Sequence, residues 1–229
     1  SMDLIKSLCD KDYCTRAAEI LSLFLTDYTY DELLKCANKA YTESFDGPAA
    51  PVSMMTGDDI RILELWHGPT CAFKDMALQI MPRLLSLALG KTNEHRTAHI
   101  LVATSGDTGK AALEGYKDVD QVKITVFYPV HGVSRMQKLQ MATQEGKNVN
   151  VVAIDGNFDD AQTGVKQIFS DPEAAKKLDA QGMFLSSANS INWGRLAPQI
   201  VYYVSAYCDL VNEKDIELGD EINVTVPTG

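Results

Sequence analysis

Lys74 is the residue of this sequence best placed to act as a nucleophile. It stands in Pro69-Thr-Cys-Ala-Phe-Lys-Asp75, at the first turn of a predicted and strongly apolar helix, where a cation opposes the helix dipole. If the side chain turns inward, desolvation favours the neutral, nucleophilic amine, which is what Schiff-base chemistry with a carbonyl cofactor requires. The same spacing fits a surface lysine paired with Asp75. A second candidate is Thr104-Ser-Gly-Asp-Thr-Gly109, two glycines and three hydroxyls between a predicted strand and helix. Backbone N–H groups and the helix dipole at such a junction favour a carboxylate or a phosphate. It is not a P-loop, because Thr104 stands where the first glycine is required and Ala111 where a Ser or Thr must follow Lys110. The charge of Asp107 opposes a pure anion site. Hydroxyls and N–H groups on a ligand with Asp107 fixing the loop is one reading, and a Gly-rich turn with Asp107 capping a helix is the other. In Asn189-Ser-Ile-Asn-Trp-Gly-Arg195, Asn192 can donate and accept, and Arg195 can clamp a phosphate or carboxylate. Equally, Asn189 or Ser190 could start the last helix, with Trp193 in the core. His67 adjoins the lysine loop and could touch a ligand. His95, His99 and His131 have no partners at ligand spacing, so no metal site is expected. No G-x-S-x-G elbow points to a hydrolase.

These loops need a scaffold, and the pattern supplies one. The first forty-odd residues read as helices, with a helix over Tyr13 to Phe24 and a capped start at Thr29-Tyr-Asp-Glu32. Phe45 to Thr56 reads as a connector and Ile60 to Leu65 as a short strand. One long helix is predicted from Phe73 to Leu89, closed by Gly90. Strands are then predicted at Ala98–Ala103, Val122–Tyr128, Val149–Ile154 and Met183–Ser186. Helices alternate with them at Gly109–Tyr116, Val133–Thr143, Phe158–Leu178 and Ile191–Leu210. Short apolar strands alternating with helices mean an α/β fold, with a parallel sheet covered by helices on both faces. Ligands of such sheets bind in loops at the carboxyl ends of strands. That selects 67–75, 104–109, 155–162 and 187–195, with a fifth loop beginning at Pro227.

Composition narrows the partners. The chain has 229 residues, 21 Lys and Arg against 31 Asp and Glu, and a net charge of −10. Nucleic acid is not expected, because phosphate binding needs clustered cations, and apolar runs such as Ile200 to Tyr207 are too short to span a bilayer. Five cysteines without a C-x-x-C pair fit a reduced, cytoplasmic chain better than a disulfide framework. Ser1-Met2 resembles the scar of a cleaved tag. Glu221 to Gly229 alternates like a strand before running into turn residues, so the chain reads as a fragment.

Taken together, the loops resemble one family, the threonine synthases, pyridoxal-phosphate enzymes of the tryptophan-synthase-β-like fold (fold type II). The resemblance rests on His67-Gly-Pro-Thr-Cys-Ala-Phe-Lys-Asp75, Thr104–Gly109, Val133-Ser-Arg-Met-Gln-Lys-Leu-Gln-Met141, Gly156-Asn-Phe-Asp-Asp-Ala-Gln162 and Asn189–Arg195, in the family's order. It implies that Lys74 holds pyridoxal 5'-phosphate covalently, is displaced by the amino group of O-phospho-L-homoserine, and then shuttles protons at the α and β carbons. Phosphate leaves, water adds, and L-threonine results. The same resemblance implies cofactor contacts from Lys74, Ser105, Asp107, Thr108 and Asn192. For the substrate it implies Thr104, Ser105, Thr108, His67 and Arg195. It further implies a larger domain contributing 1–66 and a returning strand in 215–229, with a smaller α/β domain over 67–214 carrying the lysine. The loop that grips the cofactor phosphate is expected beyond Gly229, so the 229 residues alone are expected to bind cofactor weakly or not at all and not to turn over. A phospho-lyase releasing 2-oxobutyrate fits the same motifs, and a non-catalytic α/β domain is the reading from another class. Oligomeric state is not legible, and the helices before Asp46 receive no functional assignment.

Overall fold

A computed structural model describes residues 1–55, 60–190 and 192–226. Three helices open the chain: α1 (Met2–Leu8), α2 (Tyr13–Ser22) and α3 (Tyr30–Tyr41). The predicted start of α3 is a full capping box. Thr29 Oγ1 accepts the Glu32 N–H, and Glu32 reaches back to the Thr29 N–H, which satisfies two of the otherwise unpaired donors of the first turn. The connector holds a short antiparallel ribbon instead of pure loop: β1 (Val52–Met54) pairs with β2 (Arg61–Leu63). Positions 56–59, including the end of the predicted connector, lie outside the described residues.

The expected single helix over 73–89 is two. α4 (Asp75–Leu78) ends in a turn, and α5 (Met81–Lys91) begins with Pro82 in its first turn. Proline has no N–H to give the carbonyl four residues back, and that carbonyl belongs to Leu78. Apolar periodicity runs through the break, so the sequence pattern alone does not reveal it. Gly90 is not the stop, since α5 continues through it to Lys91.

Four parallel strands follow in the order β5-β4-β3-β6: β3 (Thr97–Ala103), β4 (Val122–Pro129), β5 (Val149–Ile154) and β6 (Met183–Ser187). The intervening helices are α6 (Asp107–Tyr116), α7 (Arg135–Ala142), α8 (Phe158–Ser170) and α9 (Pro172–Asp179), with α10 (Trp193–Asn212) last. Alternation along the strands sorts the side chains. Ile100, Val102, Ile124 and Val126 bury against α6, while Leu101, Ala103, Phe127 and Leu185 bury against α8. Both faces are covered, as a parallel sheet requires. The chain winds from β3 outward to β5, then crosses back to place β6 on the other side of β3. The loops after β3 and β6 therefore diverge at a topological switch point, where open α/β sheets form ligand crevices.

The N-terminal helices share one core with α4, α5 and α10, through Leu21, Leu33, Met76, Ile80, Leu84 and Val201. That core crosses the domain boundary read at residue 66. The strand expected in the last residues is not formed: 221–226 are exposed and lie in no strand, because an alternating segment without a neighbour has no ladder to join. The loop expected from Pro227, and Ile191 at the expected start of the last helix, lie outside the described residues. Among the described residues, no helix is long and apolar enough to cross a membrane, and all five cysteines are free.

One glycine sets how closely the lysine helix meets the sheet layer. A Cβ on Gly115 of α6 would lie 2.0 Å from the Leu78 carbonyl oxygen, the oxygen that Pro82 leaves without an intrahelical donor. Gly115→Ala must push α4 off α6 and is expected to cost about 1–3 kcal/mol, read from urea denaturation; wild-type stability in this variant would contradict the packing described.

Candidate functional site

The lysine segment is organised by its neighbour. Asp75 is fully buried. Its Oδ2 accepts the Thr70 N–H at 2.8 Å and its Oδ1 accepts the Thr70 hydroxyl at 2.7 Å. Burial pushes the Asp75 carboxyl above its ordinary range, and the two Thr70 bonds, with a lesser contribution from the Ala72 N–H, act against that shift. Gly68 makes room, since a Cβ there would lie 2.5 Å from Asp75 Cβ. Between Thr70 and Asp75 the backbone passes through Cys71 in the left-handed region at φ 55°, which a residue with a Cβ seldom adopts. Asp75 is thus not the surface partner of Lys74. The Lys74 amine reaches across to α6, with Nζ 3.8 Å from Asp107 Oδ2 and its side chain 21% exposed. It also lies 4.4 Å from the centre of the Phe73 ring. Lys74 meets Asp107 at the start of α6 while Leu78 meets Gly115 near its end, so α4 and α6 bring their N-terminal ends together.

The helices before Asp46 hold this segment in place. The Tyr41 hydroxyl donates to the Met76 carbonyl at 2.7 Å inside the core, and the Asp46 N–H donates to the His67 carbonyl at 3.0 Å. His67 itself stacks on Trp66, with Nε2 2.7 Å from Glu64 Oε2.

The loop after β3 divides its side chains between shape and exposure. Thr104 is buried. Its hydroxyl accepts from the Gly106 and Gly109 N–H groups at 3.0 and 2.9 Å and donates to the Gly106 carbonyl. Every capacity of that oxygen is used inside the loop, so Thr104 shapes the loop and has nothing to offer a substrate. Asp107 is not the helix cap either. Gly106 occupies that position without a side-chain bond, and Asp107 is the first helical residue. Ser105 and Asp107 are exposed and Thr108 is half-buried, all three around the first turn of α6. A helix start leaves its first N–H groups without intrahelical partners, and here the Gly109 N–H is taken by Thr104, which leaves those of Asp107 and Thr108.

The loop after β6 resolves toward capping. Asn192 is the N-cap of α10: its Oδ1 accepts the Gly194 N–H and its Nδ2 donates to the Ser187 carbonyl. Arg195 is 4% exposed, and its Nη1 donates to the Ala188 carbonyl at 2.7 Å. Burial lowers its pKa. Its Nη1 holds backbone and the side chain is buried instead of lying open to a phosphate, because position 195 falls on the buried face of α10 with Ala197 and Pro198. Trp193, conversely, is half exposed and meets Phe24 edge to face, not the core.

Three positions missed by residue-level reasoning complete the cluster. Asn189 Nδ2 donates to the Ala103 carbonyl, tying the β6 loop to the end of β3 across the switch point. Gln137, on α7, accepts the Ser134 N–H and donates to Asp107 Oδ1 at 2.9 Å. Its signal was available as the Ser134-x-x-Gln137 capping box. Thr70, the third, had no signal beyond its place in the lysine segment. The arrangement offers an amine, two free hydroxyls, a carboxylate and the first-turn N–H groups of α6 at one crevice. Such a donor set fits an aldehyde that also carries an anionic group. The two described cavities lie apart from Lys74. One of about 530 Å³ is walled by Arg16, Tyr41 and Asp209, and one of about 190 Å³ is apolar, walled by Leu84 and Trp193 beside Asn192.

No protein-family model matches the chain. Threonine synthase-like 1 of Homo sapiens is 40% identical over 98% of this chain, and the threonine synthase of Schizosaccharomyces pombe is 36% identical over 98%. The chain spans 31% and 44% of the length of those two relatives. Among solved structures, the PLP-bound threonine synthase from Brucella melitensis superimposes with a TM-score of 0.81 at 37% identity, covering 92% of this chain and 44% of that one. The yeast threonine synthase gives 0.81 at 31% identity, covering 92% and 42%.

Gly106 tests the loop geometry. Its φ is +157°, and a Cβ there would lie 2.3 Å from Gln137 Nε2. Gly106→Ala is expected to lower stability by about 1–3 kcal/mol, and adding Gln137→Ala should recover the part due to the clash. Thermal denaturation of the single and double variants checks this, and no recovery would mean that Gln137 does not lie over the loop.

Proposed function

The chain is a threonine synthase homologue along nearly its whole length, and from that premise we propose that Lys74 holds pyridoxal 5'-phosphate in an enzyme that converts O-phospho-L-homoserine and water to L-threonine and phosphate. The observation that carries this reading is the amine of Lys74 at the mouth of the switch-point crevice, beside the first turn of α6. When bound, the cofactor supplies the electron sink for carbanions formed next to the substrate amine.

The residues of the chain have separate tasks in this reading. Lys74 holds the cofactor aldehyde covalently through Nζ. Its amine, when not engaged with the cofactor, would take the substrate's α proton and return protons to the carbon chain. Asp107, oriented by Gln137, faces that amine from the start of α6 at 3.8 Å. Ser105, Thr108 and the first-turn N–H groups of α6 receive the substrate carboxylate, where partial positive charge is already oriented. His67 lines the approach from the lysine side. Asn192 and Arg195 act through backbone carbonyls, holding the β6 loop against the crevice.

The human relative's name, threonine synthase-like, favours keeping a second outcome in view, in which the same substrate yields 2-oxobutyrate. The early proton transfers at Lys74 are common to both, so the products decide. Added pyridoxal phosphate is expected to give the full-length protein that contains these 229 residues an absorbance band that borohydride bleaches and that Lys74→Ala lacks. An identical band in Lys74→Ala would overturn the assignment. With O-phospho-L-homoserine, release of threonine supports the synthase reading, and 2-oxobutyrate supports the lyase.

A further inference from the structure

We propose that Thr70, acting through the buried Asp75 carboxylate, is a positioning residue that sets the reach of the Lys74 amine. The inference rests on the reading of Lys74 as the cofactor lysine. Its physical basis is a question of what fixes the amine in space. The groups that touch Lys74 Nζ cannot do so, because the Asp107 side chain is 54% exposed and Phe73 is 43% exposed. Contacts between exposed groups hold long side chains only loosely. Nor can α4 anchor the lysine alone. It is four residues long and its N-cap, Lys74 itself, makes no side-chain cap bond, and a helix that short has little stability of its own.

The fixed points are therefore those of the backbone on either side. On one side the Tyr41 hydroxyl holds the Met76 carbonyl. On the other, Thr70 grips both oxygens of Asp75 with its N–H and its hydroxyl. Asp75 is the next residue after Lys74 and is wholly buried, so moving it moves the Lys74 Cα. A buried carboxylate must keep its donors or draw in water. Losing the Thr70 hydroxyl leaves Oδ1 short of a partner, and the least costly relaxation is an outward shift of the 70–75 loop. Cys71, already in the left-handed region, is strained in the present path, which adds to the tendency to relax.

Covalent capture of an aldehyde is demanding about distance, with reacting atoms about 3–3.5 Å apart and aligned. Binding of an amine-bearing analogue makes no use of the Lys74 nucleophile. The two ligands therefore separate positioning from mere integrity of the crevice. The experiment measures affinities of the full-length protein for pyridoxal phosphate and pyridoxamine phosphate in wild type, Thr70→Val, Thr70→Ser and Tyr28→Phe. The last removes an unrelated hydroxyl bond to the Leu84 carbonyl and serves as the control for general destabilisation. Thr70→Val is expected to weaken pyridoxal phosphate roughly tenfold and to leave pyridoxamine phosphate within about twofold. Thr70→Ser, which keeps the hydroxyl, should restore the first value, and Tyr28→Phe should leave both unchanged. Equal weakening of both ligands in Thr70→Val, or of neither, overturns the inference while leaving Lys74 as the cofactor residue. Absence of a borohydride-reducible band in wild type overturns both readings together.

Discussion

Burial of the Asp75 carboxylate is the interaction on which the candidate site depends. A charge removed from water is tolerated only when its oxygens are paired, and here one residue, Thr70, pairs both. That requirement dictates the rest of the segment. Gly68 must lack a Cβ to let the carboxylate approach, Cys71 must take a left-handed conformation to close the path, and Lys74 is carried to the start of α4. Pro82 and Gly115 then finish the job from the other end, one by ending α4 and the other by letting α6 come close. The lysine is exposed enough to react because its neighbour is buried enough to hold it.

A division of labour runs through the crevice. Thr104, Asn189 and Asn192 spend their polar groups on the backbone around the carboxyl ends of β3 and β6, and Arg195 adds one bond from Nη1 to the Ala188 carbonyl. They turn two diverging loops into a fixed rim. Ser105 and Asp107 remain exposed, and Thr108 and Lys74 half-buried, with the Lys74 amine facing Asp107. Gln137 belongs to both groups, capping its own helix while steering Asp107. Donors fixed in advance in this way cost no reorganisation when a ligand's charge develops, which is the physical advantage of spending so many side chains on a rim.

The α/β class, the parallel sheet and the loops after β3 and β6 were legible because buried parallel strands and amphipathic helices write different periods, whereas the lysine loop follows β2 of the antiparallel ribbon and not a strand of the parallel sheet. The Thr29 capping box was legible for the same local reason. Orientation was not legible. An Asn or Arg at a helix start has the right chemistry for a ligand and for a cap. Only the packing of α10 turned Asn192 and Arg195 onto carbonyls. The break before Pro82 hid inside continuous apolar periodicity, and β1 hid in a segment whose Pro and Ser content read as loop. Residues 221–226 erred the other way: their alternation is real, but a strand needs a neighbour. The adjacent charges of Lys74 and Asp75 suggested a pair, whereas burial separated them and gave the lysine a distant partner in Asp107.

In the proposed reading, Lys74 is the lysine held where an aldehyde cofactor is captured. Peptide mass mapping after reduction with borohydride in the presence of pyridoxal phosphate tests it most directly. A phosphopyridoxyl mass is expected on the peptide containing Lys74 and on no other. Label spread over several lysines, or concentrated on one away from the crevice, would contradict it.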